Sequence, residues 1–405
     1  MKQGLLTLVL GVLLVSACSG HDTKKDGDDD IIGDNVKFAT QQIGRQVQII
    51  EESNKVLNPR TVKCDKIQYV SVEDWTSGFF PGTMWYMYDL TGDDRWKELG
   101  IKYTESLDSA KYLTWHHDVG FIIHCSYGNA YRVTKHDAYK QVIIEAAKSL
   151  STRFRPTPGV IQSWDEDRGW QAKRGWMCPV IIDNMMNLEL LFEATRLSGD
   201  SSYYKMAVSH ADVTHENHFR EDYSCYHVID YDKMKGGVRH KHTAQGYSNE
   251  SAWARGQAWA IYGFTVCYRE TKDPRYLTLI DNIYQFLFSH KNMPEDLVPY
   301  WDFDAPNIPN EPRDASAAAI IASALYELSA YNHAEYKETA DKIMVSLSSP
   351  AYRAILGTNG NFLLMHSVGS IPHGHEIDVP LNYTDYYFLE ALLRKRTIEK
   401  KKDSR

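Results

Sequence analysis

Two aspartates sit where a charge has no ordinary reason to be. Asp183 interrupts the apolar run Ile181-Ile182-Asp183-Asn184-Met185-Met186, and Asp118 follows His116 and His117 and precedes Val119-Gly120-Phe121. Burial and a neighbouring carboxylate both raise a carboxyl pKa, so one member of such a pair can keep its proton near neutrality. Acid/base transfer needs such a pair. The ordinary alternative is that each is an N-cap or first-turn Asp that satisfies free N–H groups. A second constellation is Trp253-Ala254-Arg255-Gly256-Gln257-Ala258-Trp259, where the i, i+4 spacing puts Arg255 and Trp259 on one helical face. A planar guanidinium beside indoles suits a carboxylated sugar, the fork gripping the carboxylate and the rings stacking on the sugar face. A surface ion pair with two core tryptophans is the other reading. Histidines are frequent at His210, His215, His218, His227, His240 and His242. None forms an HExxH motif, and His116-His117-Asp118 is too compressed, so no metal is expected. The sequence also has no nucleotide-binding glycine loop and no GxSxG elbow.

These residues recur at one kind of place. Asp74–Phe79, Trp115–Phe121, Pro179–Asn184, Ser251–Trp259 and Arg313–Ser316 each precede or open a helical segment. Segments that are apolar nearly all round are expected near 79–89, 119–131, 181–194, 253–268, 316–329 and 384–396. Segments with one polar face are expected near 36–54, 94–110, 137–153, 202–218, 274–291 and 334–348. The second kind opens on a polar turn and an aromatic residue, marked by Trp96, Tyr139, Tyr204, Tyr276 and Tyr336. One supersecondary unit used repeatedly is implied. Six apolar helices alternating with six amphipathic ones predict an all-α (α/α)6 barrel, an inner ring wrapped by an outer ring. Short hairpins are expected at Tyr226–Tyr231 and Gly360–Ser367. Inner helices in such a barrel are parallel, so their polar N-termini open on one mouth, where free N–H groups favour an anion.

The chain has 405 residues, 43% of them hydrophobic and 24% charged, enough for a large folded core. Its net charge of −8 and lack of a basic run in the body argue against nucleic acid as a partner. The 26 Tyr and 10 Trp suit carbohydrate stacking. Residues 1–17 read as a signal peptide, because Leu5–Val15 is too short to span a bilayer. Val15-Ser16-Ala17-Cys18 resembles the lipobox of bacterial lipoproteins, which implies lipidation of Cys18 and a membrane anchor. Residues 18–36 read as a flexible acidic tether, 37–398 as the barrel and 399–405 as a charged tail. An anchored protein of the cell envelope is expected, on the periplasmic face rather than the cell surface. The remaining five cysteines form no CxxC pair, so neither a disulfide framework nor a thiolate zinc site is expected.

From Trp75 to Arg394 the chain resembles the unsaturated glucuronyl hydrolases of glycoside hydrolase family 88. The resemblance rests on Trp75-Thr76-Ser77-Gly78-Phe79, His116–Phe121, Ile181–Leu188, Gln245-Gly246-Tyr247, Trp253–Trp259, and Pro299–Phe303 with Asp314–Ala317. It implies an (α/α)6 barrel, with Asp183 as general acid/base and Asp118 as a second essential carboxylate. It further implies that His117, His227, Gln245, Trp253, Arg255 and Trp259 contact substrate or position water, while Trp75 and Trp164 line the sugar site. Trp164 adjoins a stretch, Asp165–Met177, longer than the resemblance leads one to expect. Members accepting sulfated fragments share a Ser-x-x-Ser-x-Lys stretch. Ser367 and Ser370 match it, Pro372 replaces the Lys, and His373 and His375 follow.

The implied reaction needs no cofactor. The substrate is an oligosaccharide whose non-reducing-end uronate carries a C4=C5 double bond, as polysaccharide lyases leave it, and the reaction hydrates that bond. A rhamnogalacturonyl hydrolase of related family 105, an inverting glycosidase acting on saturated sugars, and a non-catalytic lipid-anchored glycan-binding protein are the competing readings.

Overall fold

The computed structural model describes Met1 and residues 30–331 and 334–403. The signal segment, Cys18 and the tether up to residue 29 lie outside the described residues. Among those residues twelve helices alternate between two rings, with only small antiparallel sheets between them.

The outer ring comprises α1 (Ile31–Glu52), α3 (Asp94–Glu105), α5 (Asp137–Ser151), α7 (Ser201–Asn217), α9 (Pro274–Ser289) and α11 (Ala334–Ser348). The inner ring comprises α2 (Phe79–Thr91), α4, α6 (Leu188–Ser198), α8 (Ala254–Thr271), α10 (Ala315–Leu328) and α12 (Asn382–Asp403). Helix α4 is built of Val119–Ile123, a π-helical turn His124–Gly128 and Asn129–Thr134, and α6 is preceded by a 3-10 turn, Ile182–Asn187. Each inner helix touches the next, and α12 returns to α2, so the ring closes. Helix α1 begins at Ile31 with Asp30 as its N-cap, inside the stretch read as tether, and α12 continues through residues read as tail.

The repeated polar turn has a clear physical origin. Helices α2, α4, α6 and α8 end on a left-handed residue, Gly92, Lys135, Gly199 and Lys272. The outer helix then starts on a side-chain N-cap, Asp93, His136, Asp200 or Asp273, whose acceptor takes an N–H two residues on. The aromatic three residues after the cap is buried between the rings: Trp96, Tyr139, Tyr203 and Tyr276. In the third of these the buried ring is Tyr203; Tyr204 beside it is half-buried.

The strands are accessories. β1 (Asn58–Lys63) pairs with β2 (Lys66–Val70), and β3 (Phe154–Arg155) with β4 (Val160–Ile161). β5 (Pro179–Ile181), β6 (Val228–Tyr231) and β7 (Val238–His242) form a three-stranded sheet, and β8 (Ser367–Ser370) pairs with β9 (His375–Val379). The expected hairpin at 226–231 is thus the middle strand of a sheet. The second expected hairpin starts only at Ser367, because a 3-10 turn occupies Asn359–Asn361.

At the inner helices' C-terminal end lies a cavity of about 600 Å³ whose wall includes His124, Glu189, Arg269, Glu327, Glu390 and Arg394. Glu390 accepts from Tyr86 (2.6 Å) and Tyr262 (3.0 Å), tying α2, α8 and α12 at the axis.

Close packing between α8 and the 3-10 turn depends on Gly263. A Cβ there would lie 2.4 Å from Met185 Cβ and 3.2 Å from the Met185 carbonyl carbon. Gly263→Ala is therefore expected to destabilise the fold by about 1–3 kcal/mol through overpacking. Gly44→Ala on α1, where a Cβ meets nothing within 4 Å, should be neutral or slightly stabilising. Calorimetric unfolding of the two variants against the parent checks both signs.

Candidate active site

The N-terminal ends of all six inner helices meet at one mouth. Trp75, just before α2, packs against Phe121 of α4 (5.4 Å) and Tyr383 of α12 (5.0 Å). Phe121 packs against Trp259 of α8 (5.3 Å), and Arg255 of α8 reaches Asp314, the N-cap of α10 (3.3 Å). Asp183 enters on the 3-10 turn.

Asp118 is the N-cap residue of α4, but its side chain makes no capping bond. It turns instead to the histidines. His116 Nδ1 lies 3.3 Å from its Oδ2, and His117 Nε2 lies 3.3 Å from its Oδ1. The His117 tautomer follows from its neighbours. Phe121 N–H donates to Asn187 Oδ1 (2.9 Å), which fixes the amide and aims Asn187 Nδ2 at His117 Nδ1 (3.2 Å). The imidazole proton is left on Nε2, facing Asp118. Gly120 permits this contact, since a Cβ there would lie 2.3 Å from Asn187 Oδ1 and 2.6 Å from Asn187 Cα. Burial holds His117 below its usual pKa against the opposing pull of Asp118. Burial alone would raise Asp118, but the His117 and His116 imidazoles and Arg153 outweigh it and keep Asp118 below its usual value.

Asp183 is the opposite case. It is 9% exposed, and its Oδ2 is buried without a hydrogen-bond donor among the described residues. Burial pushes its pKa up to about 7, with the charge of Asp118 adding, against Arg255, a backbone N–H and the Trp259 indole. The Trp259 N–H is directed at Asp183 yet falls outside hydrogen-bond geometry, so its pull is weak. His227 Nε2 stands 3.7 Å from Asp183 Oδ2. His227 Nδ1 accepts the N–H groups of Ala244 (3.0 Å) and Gln245 (3.1 Å), so its proton sits on Nε2 and points at Asp183. Burial, aided by Arg255, holds His227 well below its usual pKa and therefore neutral.

Two of the expected binding residues have protein partners of their own. Arg255 is 1% exposed: Nη1 donates to Asp314 and the Val368 carbonyl and Nη2 to the Gly369 carbonyl (2.7 Å), while Nε is buried without a partner among the described residues. It lies over Trp253 (4.4 Å) and near Tyr383 (5.5 Å). It is not a surface ion pair, and its charge acts on both Asp183 and His227. Ser367 is fully buried and shares a hydrogen bond with Thr384 (2.8 Å). Ser370 bonds His373 Nδ1 (2.7 Å).

The remaining expected residues do gather here. Trp253 lies over His227 (4.6 Å), Trp164 meets His227 edge to face (6.3 Å), and Gln245 holds His227 through its backbone. Trp259 is fully buried and packs against Phe121 (5.3 Å) and Tyr387 (5.6 Å). Trp75 is half-buried in the aromatic wall. The sequence alone assigned no role to Asn187, although a third polar residue in the run, four positions after Asp183 and following Asn184, was the available signal. It also left Trp170, Arg174 and Trp176 without a role. These come from the long 165–177 stretch, where Trp176 stacks on Trp164 (5.8 Å) and Trp170 meets it edge-on (5.1 Å).

Comparison with known proteins agrees with this geometry. The profile of Glycosyl Hydrolase Family 88 matches residues 49–394. An unsaturated glucuronyl hydrolase of Formosa agariphila is 44% identical over 97% of this chain and 98% of its own. An unsaturated chondroitin disaccharide hydrolase of Streptococcus pyogenes is 32% identical over 79% of this chain and 81% of its own. The crystal structure of an unsaturated glucuronyl hydrolase specific for heparin superposes with a TM-score of 0.87 at 45% identity, covering 92% of this chain and 98% of that one.

The site makes a signed electrostatic prediction. Asp183 should titrate near pH 7, and Asp118→Asn should move that titration downward, because removing a neighbouring negative charge makes the carboxylate easier to form. Carboxyl carbon NMR of the two proteins, with Asp183→Asn to assign the resonance, measures the shift directly.

Proposed function

Because the chain belongs to Glycosyl Hydrolase Family 88 and is an unsaturated glucuronyl hydrolase acting on glycosaminoglycan-derived unsaturated disaccharides, we propose that Asp183 is the acid and base of its reaction. Asp118 in this reading orients the sugar hydroxyls and keeps the Asp183 proton in play. The observation that carries it is a buried carboxyl with a pKa near 7 and one oxygen without a partner.

Protonated Asp183 delivers its proton to C4 of the C4=C5 bond. The positive charge that develops at C5 is shared with the ring oxygen. Asp183, now a carboxylate, accepts a proton from the water that attacks C5. His227 Nε2–H and Asp183 Oδ2 lie 3.7 Å apart, so one water can accept from the first and donate to the second. The C5 hemiketal then opens by breaking the C5–ring-oxygen bond, leaving a ketone at C5 and a hemiacetal at C1. That hemiacetal breaks to an aldehyde and the free neighbouring sugar. One water is consumed and Asp183 ends protonated.

The neutral His227 matters in this scheme, since the positive charge of an imidazolium there would lower the Asp183 pKa and leave the acid ionised. Because the acid must be protonated, kcat/KM should fall as pH rises through about 7. Asp183→Asn should fold normally and lose activity by about a hundredfold to ten-thousandfold, the usual worth of positioned proton transfer. Turnover in heavy water should put one deuterium stereospecifically at C4 of the released uronate. An early time point and isolated product without enzyme control for exchange from the ketone. Cleavage of saturated disaccharides without C4 label would replace this mechanism by that of an inverting glycosidase.

We further propose that the protein is a lipoprotein of the bacterial cell envelope, made with a cleaved signal peptide and held by a lipid on Cys18 at the periplasmic face. The reading rests on the lipobox-like Val15-Ser16-Ala17-Cys18 and the polar stretch after it. Metabolic labelling with a fatty-acid analogue should mark the parent and be lost in Cys18→Ala. Labelling that persists in the variant refutes the anchor.

A further inference from the structure

The cations around the catalytic mouth are mostly spoken for. Arg60 is paired with Asp74 and Glu376, Arg153 with Asp165, Arg239 with Asp230 and Arg255 with Asp314. Arg174 is different. It is exposed, and no carboxylate among the described residues lies within salt-bridge distance of it. Its guanidinium sits 5.5 Å from the Trp170 ring and 5.3 Å from the Trp176 ring. Flanking aromatic faces hold an arginine in place while leaving its N–H fork free.

The platform is fixed rather than incidental. Trp176 is buried, and its indole N–H donates to His242 Nδ1 (2.8 Å), which pins the ring. The left-handed Gly175 (φ 67°) turns the chain between Arg174 and Trp176. His373 closes the far side, its ring 5.2 Å from Trp170 and its Nδ1 bonded to Ser370. Burial, with the Arg174 charge adding, keeps His373 below its usual pKa, so it offers a neutral ring beside a single positive charge.

We infer that Arg174, presented between Trp170 and Trp176, binds a sulfate ester on the sugar that leaves and thereby sets the preference among sulfated disaccharides. The inference rests on the function proposed above. The uronate carboxylate is bonded to C5, the carbon attacked beside Asp183. The Trp164 ring contacts both His227 and the Trp170–Trp176 pair that flanks Arg174, so the guanidinium stands one ring removed from the catalytic imidazole. The anion that meets the guanidinium therefore belongs to the neighbouring sugar. One guanidinium beside a neutral imidazole matches a monoanionic sulfate ester, whose oxygens accept a bidentate grip.

The test uses the full chain and pairs of unsaturated disaccharides identical but for a sulfate ester on the leaving sugar, with each ring position represented. The readout is kcat and KM for the parent, Arg174→Ala and Arg174→Lys. Loss of a charge-assisted pair should lower the sulfated-to-unsulfated ratio of kcat/KM by about tenfold or more in Arg174→Ala, mainly through KM. Arg174→Lys should keep part of the preference, because it retains the charge without the planar fork. A ratio unchanged in Arg174→Ala for every sulfate position, with the parent active, overturns this inference and leaves the proposed reaction standing. A parent that turns over no unsaturated disaccharide overturns both.

Discussion

The burial of one carboxyl, Asp183, governs the arrangement around it. A carboxylic acid of ordinary pKa is ionised at neutral pH, and a helix-rich barrel makes matters worse, since inner-helix N-termini converge on the mouth and favour anions. Position alone would strip the proton from Asp183. Desolvation has to win, and it does so only if nothing nearby supplies a strong compensating charge or donor. His227 faces Asp183 across 3.7 Å as a neutral ring with its tautomer fixed by two backbone N–H groups. Trp259 offers an N–H that falls short of a hydrogen bond. Arg255 is the dangerous neighbour. Its charge is shared with Asp314 and two carbonyls of β8 rather than aimed whole at Asp183.

The two ends of the barrel illustrate the rule by contrast. At the far end Glu189 is half-buried, yet it lies 3.2 Å from His124 and pairs with Arg269, and these partners hold it well below its usual pKa although burial would raise it. Glu390 there is bonded by two tyrosines and lies 3.4 Å from Arg394. Those carboxylates tie helices together, and Glu189 has no proton to give. Asp118, next to Asp183, follows the far-end pattern with histidines and Arg153 around it. The same residue type is thus divided into an acid and a permanent anion by the company each keeps.

Much of this was legible in the sequence. Helix number, alternation and approximate limits followed from apolar periodicity, because an inner helix is apolar all round and an outer one is not. Asp118 and Asp183 were visible because a charge inside an apolar run is costly. What could not be read was which atoms are already occupied. Arg255 beside Trp253 and Trp259 reads as a free fork, and the return of β8 past α8, more than a hundred residues later, occupies its two Nη atoms. Ser367 was lost to Thr384 for the same reason. Conversely, Asn187 gains its importance from a tautomer, which no spacing rule reports. The start of α1 at Ile31 was missed because an acidic stretch containing Gly33 reads as coil until Asp30 is seen capping it.

The aromatic wall acquires a second purpose once the histidine is considered. His227 must stay neutral, and an imidazole is neutral at pH 7 only if its protonated form is poorly solvated or repelled. Trp164 and Trp253 cover it from two sides, so the rings that suit a sugar face also exclude the water that would stabilise an imidazolium. Stripping that cover would let His227 charge. A charged His227 would drag the Asp183 carboxyl toward ionisation, and the acid would be lost without any change in Asp183 itself. The apolar cover that keeps the imidazole neutral therefore also protects the proton on the carboxyl beside it.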